Sequence, residues 1–232
     1  MLRVRAFQGL RPAAQAVEEV ACVPYDVVNT QEAAALAEGK PNSLLHVDRA
    51  EIDLPADTDP YSDAVYGKAL GNFAALQANG TLLRETERCF FIYQQRMGSH
   101  VQTGIAGVCH IDDYDQDIIK KHEKTRPDKE NDRTRLIDTL SANTGPVFLT
   151  YRDTHELAAL EAEATADAPL YDFTAPDGIQ HTVWRVAGGE RFVEAFRAVP
   201  VAYVADGHHR TASAVRVGRE RREKNPAHTG NE

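Results

Sequence analysis

The segment Tyr203-Val204-Ala205-Asp206-Gly207-His208-His209-Arg210-Thr211-Ala212 places an acid, a glycine and three basic side chains where an apolar run meets an Ala-rich one. With a strand before the glycine and a helix after it, Gly207 permits a tight turn and a close backbone approach. The helix start leaves N–H groups free and carries partial positive charge, a setting that suits phosphate. His208, His209, Arg210 and Thr211 would add donors, and Asp206 at the strand tip would accept a substrate proton or hold a divalent ion. An Asp cap with two surface histidines is the plainer alternative, and it leaves four polar residues around a glycine unexplained. The second stretch runs from Ile118 to Arg133 and contains Lys121-His122-Glu123-Lys124-Thr125-Arg126. Cations on both sides would keep Glu123 ionised, as a base toward a hydroxyl or a magnesium ligand requires. A solvated charged loop entering a helix at Pro127 fits the same residues. Tyr25, Asp26 and Asn29 form a polar break after an apolar run, either a substrate-facing loop or a plain turn. Asn143 and Thr144, before Gly145-Pro146, are placed to line a cleft or simply to turn the chain.

These residues need elements to carry them. Residues 1–110 read as an α/β region: strand-like Val4–Leu10, an extended Val20–Asn29 broken at Pro24, and a helix over Gln31–Glu38 capped by Asn29 or Thr30. A short strand over Ser43–Val47 follows, then a helix through Tyr61–Asn79 ending at Gly80. Cys89–Gln94 and Thr103–His110 form a hairpin around Gly98. Beyond the acidic Asp112–Asp117, helices are expected over Asp128–Leu140, Asp153–Ala166 and Gly189–Ala198. Strands are expected at Val147–Tyr151, Thr182–Val186 and Val201–Ala205. A last helix runs to about Lys224 and on into Asn225–Glu232, where the pattern suggests a chain cut short before a further element.

The composition narrows the classes. The 232 residues carry 26 basic and 35 acidic side chains, a net charge of −9. A globular hydrophobic content of 42% rules out a disordered chain. No apolar run is long enough for a membrane span or a signal peptide, so a soluble cytoplasmic protein is expected. Broad nucleic-acid binding needs a basic face and is disfavoured, although Arg216, Arg219, Arg221 and Arg222 crowd one helix. Against the acidic total, residues 119–135 hold seven basic and four acidic side chains, and residues 206–224 hold six and three, each island being +3. Two basic islands in an acidic chain point to a local anion site. The three cysteines are too far apart for a metal knuckle and are expected to fill core space. No P-loop or dinucleotide fingerprint is present. A zinc site from His122, His208 and His209 is opposed by the basic neighbours.

Arg5-Ala6-Phe7-Gln8-Gly9-Leu10-Arg11-Pro12, Pro24-Tyr25-Asp26-Val27-Val28, Lys121-His122-Glu123-Lys124-Thr125, Asn143-Thr144-Gly145-Pro146 and Asp206-Gly207-His208-His209-Arg210 occur in this order. With these motifs the chain resembles, over essentially its whole length, the prokaryotic family catalogued as domain of unknown function 1015. Members of that family are usually longer at the C-terminus. More distantly, a strand followed by D-G-H-H-R and a helix resembles the nucleotide-phosphate motif of the ParB/sulfiredoxin superfamily, most closely its free-serine kinases. That resemblance implies Glu123 as the base that deprotonates serine, Asp206 assisting with metal or substrate, and His208, His209 and Arg210 on nucleotide phosphates. Sulfiredoxins place a reactive cysteine where His208 stands, so sulfinic-acid repair is not expected. Residues 1–110 have no counterpart in the small serine kinases.

The expectation is a mixed α/β protein. A ParB/sulfiredoxin-like nucleotide domain over residues 111–232 is preceded by an α/β region, 1–110, that walls the cleft. Its function would be magnesium-dependent phosphoryl transfer from ATP or ADP to a small hydroxylated metabolite, L-serine favoured. The rival is a ParB-like nucleotide switch without kinase activity. Catalysis would rest on Glu123 and Asp206, both also candidate magnesium ligands. Phosphates would meet Gly207, His208, His209, Arg210, Thr211, Lys121, His122 and Arg126, and the acceptor Tyr25, Asp26, Asn29, Asn143 and Thr144. The expected partners are nucleotide and small-molecule substrate, with no membrane; the sequence does not set the oligomeric state.

Overall fold

The computed structural model describes residues 1–229, so the expected continuation through Glu232 lies partly outside the described residues. The architecture is mixed α/β, with several small sheets between helices. The largest sheet is antiparallel and four-stranded, in the order His100–Ala106, Cys89–Met97, Gln180–Ala187, Tyr171–Thr174. Its central pairing runs eight residues, from Gln180 opposite Arg96 to Ala187 opposite Cys89. Sequence on both sides of position 110 therefore builds one sheet. Its core is shared in the same way: Leu2, Val4, Phe90 and Ile92 pack with Leu157, Trp184, Phe192, Ala202 and Val204.

A second cluster joins the helix Asp63–Ala78, through Val65, Tyr66, Ala69, Phe73 and Leu76, to Leu136 and Leu140 of the helix Pro127–Leu140. The spacing of those apolar residues puts them on one helical face, which is what such a seam requires. Pro127 opens its helix where a missing N–H costs nothing, and Ser141 ends it in the left-handed region. Among the described residues no helix is long and apolar enough to cross a membrane.

Most expected elements are present with shifted ends, and three expectations change. Ser43–Val47 is not a strand; the helix Leu45–Asp48 occupies it, with Leu45 and Val47 buried. Val20–Asn29 is not extended throughout, since Tyr25–Val27 forms a 3-10 turn. Of the three cysteines, Cys89 is buried and Cys109 half-buried, while Cys22 lies at the surface.

Candidate functional site

A three-stranded sheet organises the candidate residues. Its central strand, Ala202–Asp206, has Ile119–Lys120 parallel on one side and Phe148–Thr150 antiparallel on the other. A parallel neighbour leaves the sheet at the same end as the central strand, and an antiparallel one enters there. Residues 121–126, 143–147 and 207–211 consequently converge on the carboxyl end of Ala202–Asp206. Three segments far apart in sequence are thus brought to one place by strand direction alone.

At that end the helix His208–Lys224 begins. Gly207, its N-cap, has φ +88°, a region L-residues rarely adopt, and no side chain caps the helix. The first helical hydrogen bond is donated by the Thr211 N–H to the Gly207 carbonyl, at 2.8 Å. The backbone N–H groups of His208, His209 and Arg210 form the uncapped first turn, the positive end of a 17-residue helix.

The charged loop folds over this helix start. His208 is buried, and its Nδ1 lies 3.4 Å from Glu123 Oε2. The His122 ring meets the His208 ring edge to face, with centroids 4.5 Å apart. His209 Nε2 accepts a hydrogen bond from the Arg126 backbone N–H at 3.0 Å, so a neutral His209 carries its proton on Nδ1. Thr125 Oγ1 donates to Glu130 Oε2 at 2.7 Å and fixes the far side of the loop.

Several expected phosphate donors are engaged elsewhere. Lys121 Nζ donates to the Tyr114 carbonyl at 2.9 Å and sits over the Tyr114 ring. The Arg126 guanidinium reaches Asp128 at 2.8 Å, and Thr211 Oγ1 donates back to the Gly207 carbonyl. Arg210 is the most committed. Its Nη2 donates to Asp206 at 2.6 Å and lies 3.5 Å from Asp26, and its Nη1 donates to the Pro146 carbonyl. A Cβ on Gly145 would come within 3.0 Å of Arg210 Cδ, and one on Gly207 within 3.2 Å of its Cζ. Both glycines thus admit the guanidinium, which joins residues 26, 146 and 206.

The expected acceptor residues divide. Tyr25 is buried under the Arg133 guanidinium, which stacks on its ring at 4.0 Å, and Asp26 faces Arg210. Thr144 donates to Asp48, while Asn143 is exposed. Asn29 is occupied locally: its Oδ1 accepts from the Glu32 N–H, and its own N–H donates to Glu32. This reciprocal cap makes Asn29→Ala a stability mutation, expected to cost about 1 kcal/mol. Urea unfolding of the variant is the check, and a change within a few tenths would remove the cap's importance.

Beside Tyr25 lies a cavity of about 210 Å³ lined by Asp48, Arg49, Lys129 and Arg133 among others. None of these four was singled out by type and spacing. Arg133 and Lys129 stood inside the basic island read for Glu123 and a local anion site, without a role of their own, and Asp48 follows a segment read as a strand. Burial pushes the Asp48 carboxyl above the ordinary carboxylate range, opposed by the Arg133 guanidinium and the Thr144 hydroxyl. A folded-state value above the unfolded one means that stability falls as pH rises from the ordinary carboxylate value through the raised one. Asp48→Asn keeps an acceptor for Thr144 and cannot ionise, so it should gain on the wild type as the pH rises from the ordinary carboxylate value of about 4 upward. A stability difference that is flat over this range, in urea titrations, would dismiss the ionisation of Asp48.

The arginines that suggested a duplex-binding face are neutralised within the chain. Arg216 pairs with Glu220, Arg219 with Asp115, Arg221 with Asp138 and Arg222 with Asp112. For cations, magnesium takes one or two carboxylates plus substrate phosphate oxygens, which Asp206 and Glu123 suit as donors. Beside Glu123, however, stand two imidazoles, those of His122 and His208.

A family model described as "Protein of unknown function (DUF1015)" matches residues 4–232. No curated protein and no solved structure matches the chain.

Proposed function

The chain belongs to that family, and from its site we propose nucleotide-dependent phosphoryl transfer to a small hydroxylated metabolite, with L-serine favoured. One observation carries the reading: Glu123 Oε2 stands 3.4 Å from His208, the first residue of an uncapped helix. An anion-binding helix end and a carboxylate able to take a hydroxyl proton share one mouth. Phosphoryl transfer asks for this pairing of charge neutralisation and positioning. Phosphates of ATP or ADP would lie on the N–H groups after Gly207, with His209 beside them. The acceptor would approach Glu123 from solvent, to which its carboxylate is exposed. Magnesium would enter with the nucleotide and supply phosphate charge neutralisation. The likeness of the strand–D-G-H-H-R–helix segment to the ParB/sulfiredoxin motif supports the same reading.

A second reading, a nucleotide-binding switch, is favoured by the Arg210 cross-link. A phosphate at Gly207 would compete with Asp26 for the guanidinium and so loosen the 25–29 turn from the helix. Incubation with magnesium, L-serine and ATP or ADP, followed by phosphorus NMR, separates the two. O-phosphoserine that disappears in Asp206→Ala establishes transfer. Nucleotide binding without product, indifferent to serine, favours the switch, and absence of both turnover and binding rejects the site.

A further inference from the structure

We propose that His122, Glu123 and His208 form a binding site for a divalent first-row transition ion, of the zinc or cobalt type. One ligand atom from each lies within 4.8 Å of the others. Two of the separations are short: His208 Nδ1 to Glu123 Oε2 is 3.4 Å, and His122 Nε2 to Glu123 Oε1 is 3.9 Å. Around a tetrahedral ion with bonds of about 2.0–2.1 Å, neighbouring ligand atoms stand about 3.3 Å apart. Small rotations of the two exposed side chains, His122 and Glu123, close the difference. Two imidazoles and one carboxylate form a donor set for zinc, cobalt or iron, and a poor one for magnesium or calcium.

A second observation is independent of the clustering. His208 is only 7% exposed, and its Nε2 is buried without a hydrogen-bond partner. Its Nδ1 has only the 3.4 Å approach to Glu123. An ion beside Glu123 would take Nδ1, whose 3.4 Å contact with the carboxylate is longer than a good hydrogen bond, while burial holds the ring in place; Nε2 faces away from Glu123 and would stay as it is. The cations that would repel an ion are held off. Lys121 is on Tyr114 and Asp117, Arg126 on Asp128, and Arg210 on Asp206 and Asp26. Lys124 is exposed, where solvent screens it.

This inference goes beyond phosphoryl transfer and does not depend on it. An ion on Glu123 would take the lone pairs that a base needs, so occupancy would oppose any transfer that uses Glu123.

The test uses tag-free, chelator-stripped protein without nucleotide, titrated with Co²⁺ by visible absorption and with Zn²⁺ by calorimetry. One tight ion per chain is expected. Affinity should fall by more than about 10-fold, the scale of even outer-shell changes, in His122→Ala, Glu123→Gln and His208→Ala. His100→Ala, on the exposed hairpin, should bind as the wild type does. Should the buried His208 variant fail to fold, the exposed His122 and Glu123 variants decide. Binding weaker than millimolar, or binding that both of these leave unchanged, overturns the site.

Discussion

Glu123→Gln should lower phosphoryl transfer to L-serine by about 10²–10⁴-fold, the range that a positioned general base contributes. Glutamine has nearly the shape of glutamate and leaves His122 and His208 in place, but it has no basic carboxylate. Nucleotide affinity should stay within a few fold, because the proposed phosphate ligands are the backbone N–H groups after Gly207, not Glu123. The loss should therefore fall on turnover, measured as O-phosphoserine by phosphorus NMR, while calorimetry with ADP changes little. The exposure of Glu123, 62% of its side chain, places it where an acceptor can reach it. Activity near wild type in Glu123→Gln would remove the base. A collapse of nucleotide binding in the same variant would instead make Glu123 a structural support of the helix end.

Local chemistry explains which parts of this arrangement were legible in the sequence. The turn at Gly207 could be read because a strand, a glycine and a helix each have their own pattern and lie side by side. The hairpin around Gly98 and the helix Asp63–Ala78 were readable for the same reason. Ser43–Val47 failed because a five-residue segment with only three apolar residues, Leu44, Leu45 and Val47, fits a strand and a helix equally well. Its conformation is set by what Leu45 and Val47 pack against. Tyr171–Thr174 escaped notice because a four-residue strand has little pattern, and its pairing with Gln180–Val183 holds it.

The site shows the same division. The two halves of the mouth were each visible as a basic island, whereas their contact depends on parallel pairing of Ile119–Lys120 with Ala202–Tyr203. Asp48 and Arg210 could not have been joined to their partners by spacing. Thr144 lies 96 residues from Asp48, and Asp26 lies 184 from Arg210. Arg210 also shows where type alone misleads: a cation beside a helix start reads as a phosphate donor, yet its Nη groups are already taken by Asp206 and Pro146.

Phe90→Ala should lower the unfolding free energy by about 3–5 kcal/mol, a large share of the roughly 5–15 kcal/mol that holds a domain together. Phe90 is fully buried, and its ring packs on Phe192 with centroids 5.5 Å apart. Two glycines make room for it. A Cβ on Gly107 would lie 2.6 Å from the ring, and one on Gly189 2.4 Å from it. With no side chain at either position, little can move in to fill the space the ring leaves, which places the loss toward the top of the range. The consequence reaches the site because Ala202 and Val204 belong to the same core cluster, and their strand carries Asp206 to the helix start. Phe90 comes from the first 110 residues and that strand from the last 35, so the cavity should weaken both together. Urea unfolding followed by the fluorescence of Trp184, the sole tryptophan, and by far-ultraviolet circular dichroism should give coincident transitions at a lowered midpoint. A loss below about 1 kcal/mol, or a helical signal that persists after Trp184 is exposed, would mean that residues 1–110 hold themselves together without this core.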